Sequence, residues 1–139
     1  MSDRLSIFLR ALAGRRWEWS RTDCCMPMAD WIMAERGADP AADLRGTYSD
    51  ARSCILMLRR EGGLRLMLDR RFAAVGISRT IEPRRGDVGT IKTWAAHGNR
   101  AVLRQIGAIC LGADRVAIFT PDAGMLILSD APPLVAWRV

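Results

Sequence analysis

The chain has 139 residues, half of them hydrophobic and 26% charged, with a formal net charge of +6. A chain of this length buries roughly two-thirds of its unfolded surface, enough for one domain with a core, and the composition excludes disordered, collagen-like and coiled-coil classes. No apolar run approaches the roughly twenty residues of a membrane helix, and Ser6–Ala13 is broken by Arg10, so neither an export signal nor membrane insertion is expected.

Leu5, Phe8, Leu9 and Leu12 recur at i, i+3, i+4 and i+7, which predicts an amphipathic helix from about Asp3 to Ala13, ended by Gly14. After Trp17-Glu18-Trp19, a second helix is expected with Thr22 or Asp23 as its cap. Its apolar stripe is Cys25, Met28, Ala29, Ile32 and Met33, with Pro27 tolerated in the first turn and Gly37 as the stop. Ala38–Tyr48, polar and proline-bearing, reads as a loop. A third helix, capped by Ser49 and striped by Ala51, Cys54, Ile55 and Leu58, ends at Gly62-Gly63, and a fourth, striped by Leu64, Leu68, Phe72 and Val75, runs to Gly76.

From Pro83 onward the pattern changes to short aliphatic and β-branched runs: Val88–Trp94, Ala101–Leu111, Arg115–Thr120, Met125–Leu128 and Leu134–Val139. Their spacing leaves no room for crossover helices, so the sheet is expected to be mostly antiparallel. The whole chain, 1–139, therefore reads as a single α+β domain, with helices over about 3–76 and a five-stranded sheet over about 86–139. Trp94 and Trp137, near strand ends, are expected to pack at the core edge.

The positive charge raises a nucleic-acid reading, but Lys92 is the only lysine among the 21 basic residues and the arginines are scattered in pairs along the chain. A basic solvated surface, with arginine stems lying on apolar neighbours, accounts for that pattern, and no nucleic-acid partner is expected. Four cysteines without CxxC spacing and a single histidine do not form a zinc signature, so no metal or other cofactor is expected.

Asp23-Cys24, at the start of the second helix, is the most informative spot. Unpaired backbone N–H groups and the positive end of the helix dipole favour a thiolate there. A nucleophile also needs an imidazole to take its proton and a third group to orient the ring. The candidates are Cys24, His97 as base and Asp23 as orienting carboxylate; each also has a structural reading, Cys24 as a packed thiol, His97 as a loop residue and Asp23 as a cap. Arg45-Gly46-x-Tyr48 offers a second pair of readings. Arg45 and Tyr48 present a binding surface on the loop, or Arg45 pairs with Asp39 or Asp43 to pin the loop while Gly46 supplies a positive φ.

Trp19-x-x-x-Asp23-Cys24-Cys25 leading into a helix, Gly86-Asp87 after a proline, and Gly107-Ala108-Ile109-Cys110-Leu111-Gly112 together resemble the NlpC-type papain-like cell-wall cysteine peptidases. The run from Gly37 through Tyr48, the Gly62-Gly63-Leu64 step and Ala136-Trp137-Arg138 further resemble a small family encoded in tail modules of siphophages, prophages and gene transfer agents. The resemblance implies a papain-like fold and Cys24 at the place of the nucleophile. It also implies partnership with tail-tip or hub proteins, and a virion-tail location after assembly in the bacterial host cytoplasm. Where those peptidases carry their strand histidine, this chain has Gln105-Ile106, and His97 lies eight residues upstream in what reads as a turn. Gln105 and Asp114 are the other residues that could complete a site. The expectation is a structural or docking component on a peptidase scaffold, a pseudoenzyme. The alternative is an active peptidase or amidase that cleaves peptidoglycan stem peptides through Cys24.

Overall fold

A computed structural model describes residues 3–97 and 99–139, and the side chains of all of these except 95–97. Helix α1 (Arg4–Ala13) starts where the Asp3 carboxylate accepts the Ser6 N–H at 2.7 Å, and it buries Leu5, Leu9 and Leu12. Helix α2 (Met26–Arg36) carries Pro27 in its first turn and ends at Gly37, whose φ of 74° supplies the left-handed cap. Helix α3 (Ala51–Glu61) is capped by Asp50 instead of Ser49. The Asp50 carboxylate takes the Ser53 N–H at 2.7 Å while the Ser53 hydroxyl accepts the Asp50 N–H, a reciprocal pair that Ser49 is one residue too early to make. Helix α4 (Leu64–Ala74) buries Met67, Leu68 and Phe72 and ends at Ala74, two residues short of the expected end at Gly76, with Val75 as its C-cap.

Six strands follow, not five: β1 (Arg79–Thr80), β2 (Val88–His97), β3 (Arg100–Gly112), β4 (Arg115–Thr120), β5 (Gly124–Leu128) and β6 (Val135–Trp137). They form one antiparallel sheet in the order β1-β6-β2-β3-β4-β5. The extra strand escapes a sequence pattern because it is two residues long and polar. It exists by pairing with the chain end, Arg79 opposite Trp137 and Thr80 opposite Ala136. The Arg138 guanidinium reinforces that edge, donating to the Thr80 hydroxyl at 2.9 Å and to the buried Asp87 carboxylate at 3.0 Å.

The helices lie on one face of the sheet. Ile32, Phe72, Val88, Ile109 and Trp137 are almost fully buried between the layers, and Phe72 meets Trp137 edge to face with ring centroids 5.1 Å apart. Trp137 is thus deep in the core and not at its edge, and its indole N–H donates to Asp69 at 2.9 Å. On the opposite face Ile91, Ala108, Val116 and Ile118 form a smaller buried cluster, packed by Ala131.

The β2–β3 pair outgrows its neighbours. β6 reaches β2 only at Val88–Thr90, and β4 joins β3 from Ile109 onward, whereas β2 and β3 stay in register from Val88 opposite Ile109 to His97 opposite Arg100. Ile91–His97 and Arg100–Ile106 therefore form a two-stranded arm. His97 ends a strand here; the sequence placed it in a turn. Trp94, expected at the core edge, stands on this arm and is 70% exposed, because no helix covers that part of the sheet.

Candidate functional site

Asp23 is the centre from which the site is built. It is 1% exposed, and both of its oxygens are occupied. Oδ1 accepts the N–H groups of Cys25 and Met26 at 3.0 and 2.9 Å, and Oδ2 accepts the Ser20 N–H at 3.0 Å and the Tyr48 hydroxyl at 2.5 Å. A carboxylate offers about four acceptor positions, so none is left for an imidazole. Two of the four donors open helix α2, so the cap reading of Asp23 describes its contacts.

This arrangement shifts the helix start. Because Asp23 caps from two residues before the N-cap, Cys25 takes the N-cap position and Cys24 stands just outside the helix, not in its first turn. Ser20 holds the approach with a φ of 61°, a left-handed conformation that its own contacts maintain: its N–H goes to Asp23 and its hydroxyl accepts the Gly46 N–H at 2.9 Å. Sequence patterning gave no sign of this role for Ser20.

The loop containing Arg45 and Tyr48 folds back onto the same centre. Arg45 makes a two-pronged contact with Asp39, 2.8 and 3.1 Å, and a further ion pair with Asp30 of α2 at 2.8 Å. That guanidinium holds the Asp39 carboxyl below its ordinary range. Of the two acids proposed from the sequence, Asp39 is the partner; Asp43 pairs with Arg71 instead. Gly46 has the positive φ, 76°. Tyr48 is 6% exposed, with its hydroxyl on Asp23, so it belongs to the interior and not to a presented surface. Burial, followed by the Asp23 charge, pushes its phenol well above the usual range.

Three thiols meet beside Asp23. Cys24 and Cys25 have their sulfurs 3.8 Å apart, and Cys54 reaches the same space from α3. They line a cavity of about 60 Å³ together with Tyr48 and Gln105, closed by apolar side chains of α3 and α4 such as Leu58 and Phe72. The Cys24 thiol beside it and burial raise Cys25 well above an ordinary thiol, and burial pushes Cys54 up to about 12. Cys54 had been assigned only to a helix stripe; nothing in its local sequence signals that α3 delivers it to Cys24. Among the described residues no three His, Cys, Asp or Glu side chains converge as metal ligands.

To the lining of this cavity the sheet contributes Gln105, whose register partner is Lys92. The backbones touch one step further on. A Cβ at Gly107 would overlap the Met28 methyl and come within 2.8 Å of the Cys24 carbonyl oxygen, so glycine is what lets β3 approach this loop. His97 pairs with Arg100, five residues beyond Lys92 on β2, which is about 17 Å along the strand; its side chain lies outside the described residues. Asp114 sits in the β3–β4 turn with a φ of 56° and is not among the residues around the cavity.

The class defined by these features is an α+β domain in which a buried carboxylate, fixed by a returning loop, positions a cysteine before a helix and against an antiparallel sheet. The sequence profile of a domain of unknown function, DUF6950, matches residues 1–139, and the chain belongs to that family. Neither the curated proteins nor the solved structures contain a significant match.

Proposed function

We propose that this domain is a structural docking component of a phage or gene-transfer-agent tail tip, built on a papain-like, NlpC-type scaffold and without hydrolase activity. The carrying observation is that the strand residue lining the cavity with Cys24 is Gln105. An amide side chain takes no proton from a thiol at neutral pH, so Gln105 does not supply the base that thiol catalysis requires. The saturated hydrogen bonding of Asp23 supports the same reading, because an orienting carboxylate must keep an oxygen free for the imidazole. In this reading the loop, Asp23 and α2 form a rigid frame that supports the domain while its exposed surface meets other tail-tip or hub proteins in the host cytoplasm. The tail setting rests on the resemblance of the Gly37–Tyr48 run and the terminal Ala136-Trp137-Arg138.

The test compares wild type with Cys24→Ala in two assays, release of peptides from purified peptidoglycan and incorporation of the chain into particles. The expected result is no release by either protein and equal incorporation of both. Release by wild type that Cys24→Ala abolishes would overturn the reading in favour of a peptidase.

A further inference from the structure

We infer that the β2–β3 arm is the docking element, and that it seats an acidic, extended segment of a partner protein on the face that carries Trp94 and Leu103. The inference rests on the docking reading above. Trp94 and Leu103 stand directly opposite each other in the β2–β3 register and are 70% and 51% exposed. Residues two apart on a strand share a face, so Lys92 and Gln105 lie beside them on the same side as the cavity. The result is an apolar pair bordered by a cation and leading toward Cys24.

The arm offers more than a patch. Among the described residues, the backbones of Ile91–His97 and Arg100–Ile106 pair only with each other, which leaves an unpaired strand edge on either side. An added strand can hydrogen-bond along such an edge while its alternate side chains reach one face.

Charge selects the chemistry of that strand. From Val88 to Ala113 the sequence contains no Asp or Glu, but it contains Lys92, on the Trp94 face, and Arg100 and Arg104, which the register places on the opposite face of the arm. Several arginines of the body are matched within the fold, as in Arg45 with Asp39, Arg71 with Glu61 and Arg138 with Asp87, while others, such as Arg10 and Arg115, make no ion pair among the described residues. Lys92 and Arg100 have no ion-pair partner among the described residues. A lysine on an edge strand also discourages indiscriminate pairing, but that purpose does not call for an exposed tryptophan facing a leucine. A second copy of this basic arm would bring like charges together. Single-stranded nucleic acid stacks on several aromatic rings along a cationic groove, whereas Trp17, Trp19, Trp31 and Trp137 are engaged in the body. One aromatic beside an aliphatic side chain, flanked by free backbone, fits a peptide strand bearing carboxylates and an apolar anchor.

The test uses three probes: a short synthetic peptide alternating glutamate and valine around one phenylalanine, its lysine-for-glutamate counterpart, and oligo-dT. Binding is followed by calorimetry, and by amide chemical shifts along residues 91–97 and 100–106. The expected result is that the acidic peptide binds with shifts confined to the arm, and that Trp94→Ala or Lys92→Glu weakens it by about tenfold. Ile81→Ser, which alters an exposed side chain away from the arm, leaves binding unchanged. Equal binding of acidic and basic peptides, tighter binding of oligo-dT, or no binding of the acidic peptide overturns the inference. Dimerisation that Trp94→Ala removes would do so as well, by assigning the patch to a second copy. The Cys24→Ala protein binds the peptide as wild type does, so failure of the docking reading in the hydrolysis assay is read separately from failure of the arm here.

Discussion

Tyr48→Phe is the substitution that weighs the Asp23 centre most cleanly, because it removes one hydroxyl and leaves the ring in place. That hydroxyl donates to Asp23 at 2.5 Å in an environment only 6% exposed. A hydrogen bond to a charged acceptor contributes about 1.5–3 kcal/mol, and the loss falls at the upper end when the acceptor stays buried. The three remaining donors, the backbone N–H groups of Ser20, Cys25 and Met26, still hold the carboxylate, so the fold survives and a loss of about 2 kcal/mol is expected. With an unfolding entropy of roughly 2.1 cal/mol/K per residue, such a loss lowers Tm by about 7 °C in a domain of this size. The assay is urea denaturation of wild type and variant, read as a shift in midpoint at constant slope. A loss below about 0.5 kcal/mol would refute the reasoning, since it would mean that the hydroxyl is dispensable and that Asp23 has acceptor capacity to spare.

Gly107→Ala is expected to destabilise by about 1–3 kcal/mol, because the added carbon meets the Cys24 carbonyl and Met28; an unchanged denaturation midpoint would contradict the close approach of β3 to that loop. Acid weakens the fold in a definite window. Hydrogen bonds from Arg45, Arg71 and Arg79 lower the carboxyl pKa values of Asp39, Glu61 and Asp69, so below about pH 4 the unfolded chain binds protons that the folded chain does not. Stability is therefore full at neutrality and falls as pH drops below 4, and equal urea midpoints at pH 6 and pH 3 would contradict this. Gln105→His should place an imidazole in the lining of the cavity with Cys24 and raise the rate of Cys24 alkylation at pH 6.5 by about tenfold; no change would mean that position 105 does not address the thiol.

The parts of this fold that were legible in the sequence are those set by local pattern. Helix α1 has a single stripe because only one side is covered, and its cap and stop flank it in the chain. Helix α2 is harder to delimit because it is sandwiched: Met26, Pro27, Met28, Ala29, Trp31 and Ile32 are all buried, so the apolar residues do not trace one face. Its start was misplaced because Asp23 caps through a turn formed with Ser20 and Tyr48, contacts that depend on residues up to 25 positions away. Strand β1 is two polar residues whose structure is imposed by the last residues of the chain.

The same division holds at the site. Cys24 beside Asp23, and the amide of Gln105 on the strand, were visible as residues. Tyr48 in a polar loop gave no sign that its phenol is interior, and Cys54 none that it closes the cavity, because both depend on how that loop and α3 pack on α2. The exposure of Trp94 was hidden for the converse reason: β2 and β3 outrun the layer that would have covered it, and neither strand's sequence reports the length of its neighbours.

The pH dependence of Cys24 alkylation, followed by peptide mass spectrometry in wild type and in His97→Ala, tests the central claim most directly. Cys54 and Cys110, both pushed up to about 12 by burial, act as slow internal controls. The account predicts that Cys24 labels ahead of them and that its profile superimposes in the two proteins, because no imidazole shares its proton. A profile that shifts or collapses on His97→Ala would establish a catalytic pair and contradict the account.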